Sequence, residues 1–114
     1  MLSKKRRINK NSFQKLFKEG KTAGSRFFTI KILYTGGDLS RFSVVVSSSI
    51  EKKAAQRNKF KRRGRNILIK NIDNIKKGVD VAIFLKKEAK ELKFDDFERE
   101  LVFLFEKAGL LSKK

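Results

Sequence analysis

The stretch Ala54–Arg65 restricts the folds open to this chain more than any other. Its twelve residues carry six cationic side chains (Arg57, Lys59, Lys61, Arg62, Arg63 and Arg65), and Phe60 is its only large apolar residue. Wound as a helix, Lys61, Arg65, Asn58, Arg62, Lys59 and Arg63 sweep one broad arc. Phe60, Gly64, Ile67 and Leu68 gather on the other side, with Arg57 near the boundary. A helix from about Lys53 to the late sixties can therefore lie on a core only by its Phe60 edge. No acidic residue falls between Lys52 and Asn66, so no carboxylate one turn away offsets the repulsion among like charges. A charge run is ordinarily a solvated face. One with no internal compensation calls for anions from outside, and a phosphate backbone supplies them.

The charge of the whole chain repeats this asymmetry. With 114 residues it is expected to form one domain with a single modest core. Of its net +18, residues 1–65 hold nineteen Lys/Arg against three acids, or +16, and residues 66–114 hold eleven against nine, or +2. One part reads as an anion-binding surface and the rest as scaffold. A membrane surface fits poorly, because no basic segment carries a broad face of large apolar residues. There is no cysteine, which excludes disulfides and thiolate metal sites, and no histidine, the commonest general base and metal ligand. The N-terminal Met1-Leu-Ser-Lys-Lys-Arg-Arg has charge but no apolar stretch after it, so it is not a signal peptide. No segment approaches membrane-spanning length. A soluble, cytoplasmic protein is the expectation.

Taken in order, residues 1–10 form a basic arm expected to be disordered or ordered only on nucleic acid. Asn11 or Ser12 can cap a short helix that Gly20 ends. Phe13, Leu16 and Phe17 share one face of it, for which core packing is the usual explanation. From Arg26 to Tyr34, Phe28, Ile30, Ile32 and Tyr34 point one way while Phe27, Thr29, Lys31 and Leu33 point the other. After the Gly36-Gly37-Asp38 turn, Phe42, Val44 and Val46 resume a strand, and two adjacent antiparallel strands are the simple reading. Val79–Leu85 is the strongest strand signal. The last helix carries a stripe of Phe94, Phe97, Leu101, Leu104, Phe105 and Ala108, read as core, with Gly109 as its C-terminal cap. Asp95, Asp96, Glu98 and Glu100 suit its N-terminal half.

The run Arg57-Asn58-x-x-Lys61-Arg62-x-x-Arg65 resembles the signature helix of the bacterial ribonuclease P protein subunit. Flanking features stand in the matching order. Asn11–Gly20 and Arg26-Phe-Phe28 lie upstream, Arg41–Ser47 leads into the helix, and Val79–Phe84 and Glu91–Leu101 follow. The resemblance covers nearly the whole chain. It implies an α+β fold, an α/β sandwich in α-β-β-β-α-β-α order, its four-stranded sheet containing a left-handed β-α-β crossover. It also implies a ribonucleoprotein that removes the 5′ leader of precursor tRNA, with a catalytic RNA subunit and Mg2+ as that RNA's cofactor. By matched position Arg57, Asn58, Lys61, Arg62 and Arg65 contact the catalytic RNA. Phe13 and Phe17 line a cleft for the single-stranded leader, and Lys31 stands where the family usually has a further cleft aromatic. The implied protein is monomeric within the ribonucleoprotein and contributes neither catalytic residues nor metal ligands.

Four departures accompany the match. Besides Lys31, Ser48-Ser49 replace a basic pair, Gly64 replaces a large aliphatic residue, and Lys93 replaces the Ser or Thr that commonly caps the last helix. The residues alone leave two rivals, a structural RNA-binding protein such as a small ribosomal protein, and a stand-alone nuclease. Seven of the twelve acids lie between Glu88 and Glu106, outside the strongly basic half. That placement weighs against a nuclease built on paired metal ions.

Overall fold

The computed structural model describes residues 3–111. Its elements are α1 (Lys10–Glu19), β1 (Lys21–Gly24), β2 (Phe28–Tyr34), β3 (Arg41–Val45), α2 (Ala54–Lys70), β4 (Val79–Leu85) and α3 (Phe94–Lys107). Short 3₁₀ turns occupy Lys4–Arg6, Ile72–Asn74 and Lys87–Glu91. This is the expected α-β-β-β-α-β-α order.

The strands form one mixed sheet in the order β1-β2-β4-β3. β2 pairs antiparallel with β1 and with β4, whereas β3 runs parallel to β4. The expected β2–β3 hairpin is therefore absent. β4 lies between those strands, and the Gly36-Gly37-Asp38 turn joins strands that are not neighbours. Burial is the reason. β4 is covered on both sides, every residue but Phe84 being buried, and such a strand belongs in the middle of a sheet. Helix α2 supplies the crossover that a parallel pair requires.

Alternation then sorts the two faces. Phe28, Ile30 and Ile32 of β2, Phe42 and Val44 of β3, and Val79, Val81, Ile83 and Leu85 of β4 enter one core with α2 and α3. Phe97 of α3 sits at its centre, edge-on to Phe28 at 5.0 Å and stacked on Phe60 of α2 at 6.5 Å. The opposite face carries α1.

Three local expectations are corrected. The first helix begins two or three residues earlier than read, capped by Asn9, whose side chain accepts from Ser12 N at 2.8 Å. The basic arm is docked on β3 through Arg6, Arg7 and Ile8: Arg7 bridges Phe42 in parallel, Ile8 N donates to Phe42 O, and Arg6 Nη1 donates to Ser40 O. An unpaired strand edge is a ready partner for such a segment. Met1 and Leu2 of the arm lie outside the described residues. Within the α3 stripe, Phe94 is 44% exposed rather than core. Gly109 does end the helix as expected. Its φ of +77° lets Gly109 N and Leu110 N reach back to Glu106 O and Phe105 O.

Candidate nucleic-acid interface

Helix α2 buries Phe60, Gly64, Ile67 and Leu68, the apolar edge read from the sequence. Gly64 has a packing reason. A Cβ there would stand 3.1 Å from Val44 Cγ1 and 3.3 Å from Val44 Cγ2, so the missing side chain lets the helix settle close against β3. The helix-propensity cost of that glycine, about 1 kcal/mol against Ala, is set against this approach.

The cations do not all share one face. Asn58, Lys59 and Arg62 are exposed, and Lys61 and Arg65 are half-buried toward β3 and α1. Arg63 leaves the expected arc: its guanidinium lies 5.5, 5.7 and 5.2 Å from the ring centres of Phe60, Phe94 and Phe97 and donates to Leu92 O. It covers the half-exposed Phe94 and joins α2 to the start of α3. Arg57 turns back on the loop before the helix, Nη1 donating to Glu51 O and Lys52 O at 2.9 and 2.8 Å. That loop is further held by Lys90, whose Nζ reaches Ile50 O and the Glu51 carboxylate. The Lys53 backbone N–H, then Lys90, hold the Glu51 carboxyl below its ordinary value of 4.5. Among the described residues, Lys59, Lys61, Arg62 and Arg65 pair with no carboxylate. Four uncompensated cations on one helix are the electrostatic feature of this surface.

On the other side of the sheet α1 lies over β2 and β4 and splits its apolar triplet. Leu16 is fully buried, while Phe17 is 56% exposed and Phe13 half-buried. Their rings stand 6.5 Å apart, and each lies 6.3 Å from the ring of Phe84. Phe84 was not singled out in the sequence. Its only signal is parity, since it alternates with Ile83 and Leu85 and shares its face with Asp80 and Ala82. The register sets Phe84 between Val45 and Thr29, and Ala82 between Ser43 and Lys31. Lys31 thus sits diagonal to Phe84, with Nζ 4.7 Å from the Phe17 ring centre and donating to Phe17 O at 3.3 Å. Phe13, Phe17 and Lys31 are brought together as expected. An aromatic from the neighbouring strand stands next to the lysine.

A groove of about 560 Å3 continues this surface between α1, β3 and α2. Phe13 and Gln14 form one wall, Lys61 and Arg65 the other, and Lys10 stands on the rim. A partly exposed aromatic cluster with the Lys31 ammonium beside it, opening onto a cationic groove, matches the chemistry that holds unpaired nucleic acid strands.

Residues 2–109 match the family model described as Ribonuclease P. The chain is 31% identical over 115 residues to the ribonuclease P protein component of Bacillus pumilus, spanning 99% of this chain and 96% of that protein. A solved structure of a Staphylococcus aureus RNase P protein mutant superposes with a TM-score of 0.87 at 25% identity, over 95% of this chain and 92% of that one. The RNase P protein from Thermotoga maritima does so at 0.82 and 30% identity, over 89% and 96%. By its fold, its family match and the cationic helix carried on β3, this chain belongs to the family of ribonuclease P protein components, the protein part of a tRNA-processing enzyme.

Proposed function

We propose that this chain holds the catalytic RNA of ribonuclease P through α2 and the single-stranded 5′ leader of precursor tRNA along α1. Arg62, Asn58, Lys61 and Arg65 face the RNA subunit, and Arg57 keeps the helix's leading loop in place beside them. Arginine forks onto phosphate oxygens in a way lysine does not. Leader bases lie against Phe13, Phe17 and Phe84, and a phosphate comes to Lys31. One observation carries the reading: the aromatic cluster and the α2 cations border one continuous surface, joined by the groove that Phe13 shares with Lys61 and Arg65.

The protein's share is binding and positioning. Its residues do not fit a magnesium site. Among the described residues no three acidic side chains lie together, and the one buried carboxylate, Asp80, is engaged by Arg41. Magnesium is assigned to the RNA subunit, and the protein acts in the cytoplasm as a monomer within the ribonucleoprotein. The deciding experiment incubates precursor tRNA with the protein alone, the RNA subunit alone and both together, with and without magnesium. Leader removal at low salt is expected only where RNA subunit and magnesium are present, and the protein should enhance it. Cleavage by RNA-free protein overturns the reading.

A further inference from the structure

We propose that the docked N-terminal arm is a second row of contacts to the RNA subunit, extending the cationic surface of α2 around the outer edge of β3. This rests on the reading that α2 holds that RNA. Residues 3–10 carry five cations and no acid, and the fold itself orders them. A 3₁₀ turn over Lys4–Arg6 leads into the Arg7–Phe42 bridge and the bond from Ile8 N to Phe42 O, and Asn9 then caps α1. Arg6 is the cation spent on docking, through Ser40 O. Lys4, Lys5, Arg7 and Lys10 stay exposed, and among the described residues none of them pairs with a carboxylate.

Position joins the arm to α2. Ile8, Asn9 and Lys10 line the same groove as Lys61 and Arg65. Phe42, where the arm is bonded, stands two residues before Val44, against which Gly64 of α2 closes. An arm already ordered on the sheet binds without the entropic cost of ordering a free tail. Composition then selects the occupant. Residues 3–10 contain no aromatic side chain. An unpaired leader is held by rings with charge beside them, which α1 offers at Phe17 and Lys31. Cations without rings suit a phosphate backbone instead, and folded RNA presents that backbone on its outside. The RNA subunit already lies against the neighbouring Lys61 and Arg65, so the arm is assigned to it and the leader is left to α1.

The test uses the full-length chain and its RNA subunit, and compares wild type, the triple variant Lys4→Gln/Lys5→Gln/Arg7→Gln, Ile8→Pro and Arg62→Ala. Assembly with the RNA subunit is measured across a salt series, and the assembled enzyme's affinities for precursor and mature tRNA beside it. The triple variant should weaken assembly about fivefold or more and lower its salt slope by about two units. Its melting temperature and its preference for precursor over mature tRNA should stay as in wild type, because the three side chains are exposed and lie away from Phe17 and Lys31. Ile8→Pro removes the N–H bonded to Phe42 O and keeps every charge. It should weaken assembly about threefold, the added cost of ordering a freed arm. Assembly affinity and slope unchanged within about twofold in the triple variant overturn the proposal. So does a loss confined to precursor tRNA, which would place the arm on the leader. Wild-type assembly by Ile8→Pro, beside a loss in the triple variant, would assign the charges to a free tail and overturn the docked row. Should Ile8→Pro lower the melting temperature, the triple variant decides. If Arg62→Ala is silent as well, the reading of α2 has failed, whereas its loss with a silent triple variant removes the arm alone.

Discussion

Arg41 grips Asp80 across the parallel β3–β4 ladder, with Nε 2.9 Å from one carboxylate oxygen and Nη2 2.7 Å from the other. Asp80 is 1% exposed, and Nη2 also donates to Ser12 Oγ. One guanidinium thus neutralises a buried charge and ties α1 to the sheet. Arg41→Ala leaves that carboxylate without its partner and should cost about 3 kcal/mol of stability. Urea unfolding measures it. Replacing both residues together by Leu should cost less, because the uncompensated charge goes too.

Gly64 and Val44 should behave as one packing unit. Gly64→Leu forces a side chain into a space already filled by Val44 and should destabilise by about 1–3 kcal/mol. Val44→Ala alone should also destabilise, and the double variant should recover part of the combined loss. Additive losses would show that the helix shifts instead of clashing.

Neighbouring arginines of α2 should separate sharply in function. Arg62→Ala is expected to weaken assembly with the RNA subunit and lower its salt slope by about one unit, with stability unchanged. Arg63→Gln should do the reverse, lowering the melting temperature through lost contact with Phe60, Phe94 and Phe97 while the slope stays. Filter binding across a salt series, beside thermal unfolding, distinguishes them.

Phe17 is more than half exposed, so Phe17→Ala should leave the melting temperature nearly unchanged. Stacking on an aromatic ring is worth about 1–3 kcal/mol. The variant holoenzyme should lose about fivefold or more in affinity for precursor tRNA and little for mature tRNA, which lacks the leader. Phe84→Ala should show the same preference. A large stability loss with unchanged preference for precursor over mature tRNA would return these rings to a packing role.

Glu51 supplies the acid-side prediction. Its carboxyl is held below the ordinary glutamate value by the Lys53 N–H and by Lys90. Its contribution is therefore present above the unfolded-state value of 4.5 and lost as pH falls through the lower folded value. Stability curves of wild type and Glu51→Gln should converge on the acid side and part at neutral pH, with wild type higher. Parallel curves across that range would show that the carboxylate adds nothing.

What the sequence determined by itself was the local part of the structure. The apolar edge of α2, the buried stripe of α3 from Phe97 to Phe105, the span of β4 and the Gly109 helix end all follow from spacing over a few residues, where chain geometry alone dictates which side chains share a face. The excess of cations in residues 1–65, and with it an anionic partner, was legible for the same reason. Strand order was not, because the insertion of β4 between β2 and β3 depends on a pairing brought about through α2 and decided by burial on both faces. The aromatic cluster was half legible: Phe13 and Phe17 are one turn apart in sequence, whereas Phe84 joins them only across the folded sheet. Arg62 and Arg63 are consecutive and chemically identical. The packing of α3 against α2 left one in solvent and laid the other on three rings, and the docking of residues 6–8 on β3 likewise needed the strand edge to exist first.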